Sequence, residues 1–486
     1  MPPVLAPTGK SADCPDIQTP ATNPYRQLLR RRFPEPLVLL LIFLVGVYLW
    51  DNHFGKVLMP HAPAQRTELL ELALRKADRD LRLADGTAQY PSWVQPLLGV
   101  DPLPQSLDHH ISALEPLIYS RHRHEEDAMT AAIEDEAAFA LAVMISIQAG
   151  GDGATAPFAK YGLNPAPPPG PILSTIIDGR EAWWHMAYLE GLDIPEAAMA
   201  SRLVDARTQQ LVGNMIKSRG CVAALTLGGL VFIPGTLVAF VRAGKRRERP
   251  GYAGRWKLSF GLGVFLLAYL ASIGFSSTFN EALGLIAANA DPEAGPLMSK
   301  PLYIALDSLT RFLPAFIALG LLFRRPRHAV SRLGIAGPFD ARLVLGSFAI
   351  LQIIDFGLRM TVDRSETPDP TGGLSASELG PWGLVFGIVS ACIAAPIAEE
   401  ILYRGVLFRS LANRLKLWPA TLVSSVVFAI VHFYPLSSLV MIACVGMVCA
   451  LSFAASRGLL TAIVLHSLYN AAIKIPEWIV YQTTLS

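Results

Sequence analysis

Two adjacent glutamates, Glu399 and Glu400, stand inside an apolar stretch of the chain. Residues 381–398, directly before them, carry no charge, and a run of that length is long enough to cross a membrane. A carboxylate inside a membrane span is energetically costly, so ionisable residues at such positions usually serve a function. These two glutamates are therefore the first candidates for chemistry.

Two polar pairs follow in the next apolar stretches. Phe428 is followed four residues later by His432, and His466 is followed four residues later by Asn470. Residues four apart share a helix face, so each pair faces one direction. Hydrolysis of an amide bond needs an activated water, a base and donors for the developing oxyanion. Glutamate, histidine and asparagine side chains supply these groups.

The spacing predicts different roles for the two glutamates. Glu400 and Arg404 are four residues apart and are predicted to form an ion pair on one helix face. Glu399 points about 100° away from Glu400, toward a different neighbour. This division favours Glu399 as a general base and the Glu400–Arg404 pair as its support, although the pair alone is also typical of a purely structural contact.

The three motifs are expected to meet inside the membrane. At a rise of about 1.5 Å per residue, Glu399, His432 and His466 reach overlapping depths when counted from the flanking loops. Their Cβ atoms are expected within about 10 Å of one another, because direct catalysis needs groups that reach one water. Pro396 lacks a backbone donor and is predicted to kink the helix and to open room for that water.

Two ways of activating the water remain open. Glu399 together with a histidine could act directly on it. Alternatively, Glu399, His432 and His466 could hold a zinc ion, which would lower the pKa of a bound water. In both cases the amide of Asn470 has N–H groups that suit an oxyanion.

The composition indicates the setting of these motifs. The 486 residues are 52% hydrophobic and 16% charged, against about 25% charged residues in soluble domains. The sequence therefore predicts an all-α polytopic membrane bundle. Its expected partners are the lipid bilayer and a membrane protein or peptide substrate, with no nucleic acid.

Nine apolar runs are candidate spans. They comprise an anchor within residues 33–50 and the runs 221–242, 257–276, 302–323, 343–360, 381–407, 419–434, 437–455 and 458–475. If all nine cross the membrane, the basic clusters around Arg30–Arg32, Lys245–Arg249, Arg324–Arg327 and Arg409–Lys416 fall on one side. Cytoplasmic loops carry the excess of Lys and Arg, so that side is predicted to be cytoplasmic.

The same reasoning gives the domain organisation. Residues 51–215 show helical periodicity with frequent polar residues, and they are predicted to form an inserted extracytoplasmic helical domain of a cell-membrane protein. The predicted division is a disordered cytoplasmic tail (1–32), an anchor helix (33–50), this domain (51–215), membrane helices with cytoplasmic loops (216–340) and a catalytic membrane core (341–480).

The ordered set of motifs resembles the signature of the CPBP family of intramembrane proteases. That family includes CAAX-prenyl proteases and abortive-infection or bacteriocin-processing proteins, and the resemblance covers about residues 340–480. It consists of Glu399-Glu400-x-x-x-Arg404, Phe428-x-x-x-His432 and His466-x-x-x-Asn470.

The resemblance implies an intramembrane endopeptidase in which Glu399 and His432 activate water. It implies that His466 and Asn470 complete the site and stabilise the oxyanion, with Glu400 and Arg404 in support. The family is often described as metalloproteases, and a metal-free glutamate mechanism has also been argued, so zinc remains an open cofactor.

Two other classes of protein are compatible with the same residues. One is a non-catalytic membrane scaffold or immunity protein that retains the motifs, and the other is a proton-coupled transporter, which also uses buried Glu and His. Among the remaining charged groups, Asp307 with Arg311 and Asp355 with Arg359 are predicted ion pairs. The cluster at 122–126 is predicted to be a solvated charged face rather than a metal site.

Overall fold

The computed structural model describes most of the chain. The described residues are 33–51, 63–118, 128–149, 156–163, 172–173, 182–191, 197–245, 256–288, 305–306, 308–323, 330, 332–361, 380–432 and 436–485. The predicted tail 1–32, the charged cluster 122–126 and Asp307 lie outside them.

Every element in these ranges is a helix, which confirms the all-α class. The first eight helices are α1 (Glu35–Trp50), α2 (Pro63–Thr87), α3 (Val94–Leu98), α4 (Leu103–Ile118), α5 (Ala128–Gln148), α6 (Ala156–Lys160), α7 (Trp183–Gly191) and α8 (Ala197–Leu230). The others are α9 (Ile233–Lys245), α10 (Leu258–Ala288), α11 (Leu313–Leu322), α12 (Ala341–Thr361), α13 (Gly380–Val389), α14 (Ala395–Glu399), α15 (Arg409–Ala412), α16 (Leu417–Ile430), α17 (Leu436–Ser456) and α18 (Leu459–Leu485).

Helices α2 and α4 to α7 share a core of their own. Along α2, Leu70, Leu74 and Leu81 recur on one face and are buried, while charged residues occupy the other positions. That face packs against α4, α5 and α7, where Phe139 and Trp184 are fully buried. The region predicted as a helical domain therefore contains a hydrophobic core separate from that of the membrane helices.

Helix α8 runs from this domain into the membrane part and is then broken. Its segment Asp205–Leu230 and the following Ile233–Lys245 meet at an angle of 63°. Pro234 lies just after the break, where its ring prevents the first helix from continuing. The predicted span 221–242 is thus a bent pair rather than one straight helix.

Five described helices are long and apolar enough to cross a membrane, or six if the bent pair counts as one span. They are Leu258–Phe279, Ala341–Arg359, Val385–Ala412, Ser438–Ser456 and Leu459–Pro476. Three other predicted spans appear as shorter apolar helices, Glu35–Trp50, Ser308–Leu322 and Leu417–Ile430. A straight span needs about 20 residues, so the helix lengths do not establish the count of nine.

The motif glutamates lie on one interrupted helical run, residues 380–412, which we call the site helix. It consists of α13, α14 and α15 joined by two π-helical segments, Ser390–Ala394 and Glu400–Phe408. Side chains of the second segment are buried throughout. Helices α10, α11, α16 and α18 pack around the run, so it forms the centre of the membrane part.

Candidate active site

Pro396 explains the first interruption of the site helix. In the π-helical segment the N–H of Ala395 donates to the carbonyl of Ser390, five residues earlier. The next donor in that pattern would be residue 396, but proline has no N–H. The carbonyl of Ala391 instead accepts a hydrogen bond from Nδ2 of Asn470, at 2.9 Å. The amide of Asn470 therefore fastens α18 to the break in the site helix.

Glu400 and Arg404 form the ion pair expected from their spacing. Arg404 Nη1 lies 2.7 Å from Glu400 Oε1, and both side chains are buried. Arg404 Nη2 also donates to the carbonyl of Gly446 at 3.0 Å. A buried guanidinium needs such acceptors, because an unpaired charge in an apolar interior is strongly destabilising.

The ring of Phe428 lies against several polar groups of the site. The guanidinium carbon of Arg404 is 4.4 Å from the ring centroid, a distance typical of a cation–π contact. The rings of His432 and His466 approach Phe428 edge-on, with centroids 4.8 and 5.7 Å away. Phe428 therefore joins the motif on α16 to those on the site helix and on α18.

His466 lies between the two glutamates. Its Nδ1 is 2.9 Å from Glu400 Oε1, and its Nε2 is 3.8 Å from Glu399 Oε2. An ionised carboxylate only accepts hydrogen bonds, so the contact with Glu400 assigns a hydrogen to Nδ1. Nε2 is then the nitrogen that faces Glu399.

Glu399 and Glu400 differ sharply in exposure. The side chain of Glu399 is 27% exposed, whereas that of Glu400 is completely buried. The turn of about 100° between neighbouring helix residues, which directs the two side chains apart, produces this difference. Only Glu399 is therefore open to a water molecule or a substrate.

His432 occupies the turn that follows the last residue of α16, Ile430. Its Nδ1 is 2.7 Å from the carbonyl of Phe428, one helical turn earlier. Its ring contacts that of Phe428, which also contacts His466. The structure thus brings the three motifs to one place in the membrane part.

The donor geometry bears on the zinc alternative. Among the described residues, no group of three His, Cys, Asp or Glu side chains is arranged to hold a metal ion. Zinc needs ligand nitrogens and oxygens at about 2.0–2.2 Å. Here Nδ1 of His432 lies against the carbonyl of Phe428 and Nδ1 of His466 against Glu400, so Nε2 is the nitrogen that each histidine could offer to a metal. In the arrangement described, these donors do not form a zinc site.

Two groups of the site are backbone carbonyls that the motifs do not reveal. The carbonyl of Gly446 binds Arg404, and that of Ala391 binds Asn470. Gly446 also allows close packing, since a Cβ there would lie 3.1 Å from Ser425 and 3.2 Å from Phe428. The missing donor of Pro396 was the one sequence signal that pointed to such a carbonyl.

Comparison with known proteins agrees with the motifs. Residues 381–472 match the model of a family described as Rce1-like, type II CAAX prenyl endopeptidase. This segment contains all seven motif residues, from Glu399 to Asn470. No curated protein and no solved structure matches the chain. The segment is consistent with a CPBP intramembrane protease, which confirms the resemblance.

Proposed function

We propose that this CPBP-type protease, a multi-pass membrane protein, hydrolyses a peptide bond of a membrane-associated protein or peptide with water activated by Glu399. The observation that carries the proposal is the placement of His466. Glu400 holds one imidazole nitrogen, and the other faces the more exposed carboxylate of Glu399.

The distance between Glu399 and His466 suits a bridging water. At 3.8 Å, Oε2 and Nε2 are too far apart for a direct hydrogen bond. A water between them could bond to both groups. In the proposed reaction Glu399 takes a proton from this water as the oxygen attacks the carbonyl carbon. The same proton then passes to the amine nitrogen that leaves when the C–N bond breaks.

Asn470 is proposed to stabilise the tetrahedral intermediate. The NH2 group of Asn470 has two hydrogens, one of which bonds to the carbonyl of Ala391. The second is proposed to donate to the oxyanion. His432 and His466, whose rings both lie against Phe428, are proposed to assist the water beside Glu399. Glu400 and Arg404 hold His466 and do not contact the substrate.

Contacts at one end of the bundle support the proposed orientation. Phe33, which follows the first basic cluster, contacts Phe260 with ring centroids 5.7 Å apart and the rings tilted by 38°. Trp256 donates from Nε1 to Ser410 Oγ at 2.8 Å, and Gly244 lies against Trp418. The chain segments beside three basic clusters therefore meet. We propose that this end is cytoplasmic in the cell membrane and that residues 51–215 lie outside.

Labelling of introduced cysteines tests this orientation. A cysteine at Ala159, which is exposed on α6, should react with a membrane-impermeant maleimide in intact cells. A cysteine at Lys416, beside the basic end, should react only after the cells are broken open. The opposite pattern would reverse the orientation and leave the assignment of the catalytic groups unaffected.

Peptide cleavage tests the proposed activity. The purified chain in lipid nanodiscs is incubated with a farnesylated peptide ending in a CAAX sequence, with the same peptide lacking the prenyl group, and with an apolar transmembrane peptide. We expect the wild-type chain to cleave at least one of the three peptides and the Glu399→Gln variant to cleave none of them. Cleavage of only the farnesylated peptide assigns a CAAX-type substrate. Equal cleavage by wild type and Glu399→Gln would refute the role of Glu399.

A further inference from the structure

An uncharged aromatic segment lies on the surface of the helical domain. Residues 88–100 carry no charged side chain, although they connect two strongly polar helices, α2 and α4. Within them Trp93 is 66% exposed, Leu97 55% and Tyr90 39%. Large apolar side chains grouped in this way usually mark a contact surface.

The opposite side of this segment holds it in place. Gln95 donates from Nε2 to the carbonyl of Ala84 at 3.3 Å and to Thr87 Oγ1 at 3.2 Å. Leu98 is buried in a small cluster with Met215 of α8. Trp93 and Leu97 are four residues apart and therefore share the outward face. The two exposed apolar groups thus stand on a fixed support.

The segment lies at the end of a membrane span. Gly99 ends α3 in the left-handed conformation, with φ of 73°. A side chain there would collide with the guanidinium of Arg359 and would approach that of Arg219. Arg359 is the last residue of the candidate span Ala341–Arg359, and it pairs with Asp355 at 2.8 Å. This contact places the segment beside the end of that candidate span.

We propose that residues 88–100 are a lipid-binding surface, on which Trp93 and Leu97 enter the interfacial layer of the bilayer. Trp and Tyr favour this layer, where an amphipathic ring finds both apolar and polar surroundings. Each interfacial layer is about 5–8 Å thick. Trp93 and Gly99 flank the short helix α3, so Trp93 stands close to the contact between Gly99 and the span end.

The two arginines match the chemistry of the lipid headgroups. Guanidinium groups bind phosphate oxygens in a fork geometry, and Arg219 and Arg359 lie beside Gly99 at the end of the candidate span. A second protein would not require cations, a tryptophan and a tyrosine at one membrane depth. The lipid contact would fix the helical domain against the membrane, independently of the peptidase activity proposed above.

Fluorescent probes in the purified full-length chain can test the contact. Cysteine replaces Trp93, Leu97 or, as the matched control, Ala159, in a background with Cys14, Cys221 and Cys444 changed to alanine. Ala159 is exposed on α6, which packs on α5 within the helical domain. Each cysteine is labelled with the environment-sensitive dye NBD, and the chain is placed in nanodiscs with or without lipids that carry a nitroxide near the headgroup. Unsubstituted background chain corrects for residual labelling.

We expect NBD at residues 93 and 97 to emit at shorter wavelength and to be quenched several-fold more by the nitroxide lipids than NBD at residue 159. Quenching of the first two probes no greater than that of the control would overturn the proposal. Protection from both nitroxide lipids and aqueous iodide would also overturn it, because a protein surface, such as a second copy of the chain, would then cover the segment. If the chain labelled at residue 93 or 97 aggregates, a chain labelled at Tyr90→Cys is measured in its place.

Discussion

His466 Nδ1 lies 2.9 Å from Glu400 Oε1, so the more buried motif glutamate contacts a histidine as well as Arg404. The helix spacing predicts the arginine contact, but not the histidine contact, because α18 follows far along the chain. Glu400 therefore connects two motifs, and its loss should affect both folding and the orientation of His466.

The two glutamates should respond differently to the same substitution. Glu400→Gln leaves Arg404 as a buried charge without a carboxylate, which should cost about 3–5 kcal/mol of unfolding free energy. Glu399→Gln removes a partly exposed group and should change stability little while abolishing cleavage. Thermal unfolding and peptide cleavage of both purified variants distinguish the two. If Glu399→Gln proved the less stable variant and Glu400→Gln the less active one, the two proposed roles would have to be exchanged.

Removing the ring of Phe428 should disturb several groups at once. Phe428→Leu keeps an apolar side chain but loses the contacts with Arg404, His432 and His466. A desolvated cation–π contact contributes about 2 kcal/mol, so the variant should unfold at a lower temperature. The rate of cleavage should also fall, because both histidines lose a packing partner.

Phe316→Leu provides the matched control for that variant. Phe316 is 65% exposed on α11 within the membrane part, where no such contacts are formed by the described residues. It stacks only on Phe312, and its substitution should leave cleavage unchanged. An equal loss of activity in both variants would show that Phe428 acts through general packing alone.

Replacing Asn470 by either aspartate or alanine should impair the protein. Asn470→Asp places an acceptor against the carbonyl of Ala391, so the hydrogen bond that holds the break in the site helix is lost. Asn470→Ala should reduce kcat by about 10²–10³, the usual effect of removing an oxyanion donor. A decrease confined to thermal stability, with kcat unchanged, would assign Asn470 to structure alone.

The sequence predicted the motif helices well because its signals were local. Four-residue spacing predicted the Glu400–Arg404 pair, and the turn between neighbouring residues predicted that Glu399 and Glu400 face different neighbours. The position of Pro396 indicated a disturbed helix. These features depend on residues within one or two helical turns.

Contacts between distant helices could not be predicted in the same way. The hydrogen bond from Asn470 to Ala391 spans 79 residues, and the acceptor is a backbone carbonyl that carries no sequence signal. The short helix Leu417–Ile430 ends before the run of apolar residues does, so the periodicity overestimated that span.

Metal removal addresses the mechanism that the family resemblance left open. Since no three described donors are arranged to hold a metal, dialysis against EDTA or 1,10-phenanthroline should leave cleavage unchanged. Metal content is measured on the same sample by mass spectrometry. Loss of activity that zinc restores would instead assign Glu399, His432 and His466 as a zinc site.

The contribution of the Asp80 carboxylate to the stability of the helical domain should decrease at acidic pH. Burial alone would raise the pKa of Asp80, but Arg79 at 2.6 Å and His110 at 3.4 Å outweigh it and hold that pKa well below its usual range. A carboxyl whose pKa is lowered in the folded state stabilises it above about pH 4, and this contribution disappears as pH falls toward the folded pKa. The difference in thermal stability between wild type and Asp80→Asn should therefore shrink between pH 6 and pH 3. A constant difference over that range would exclude this linkage.

The central claim is that Glu399 activates water to cleave a membrane-associated substrate. The most direct measurement compares protein termini by mass spectrometry in cells that express equal amounts of wild type or Glu399→Gln. We predict that new termini in membrane proteins or peptides appear with the wild type and are absent with Glu399→Gln. Identical sets of termini from the two chains, both folded and inserted, would contradict the claim.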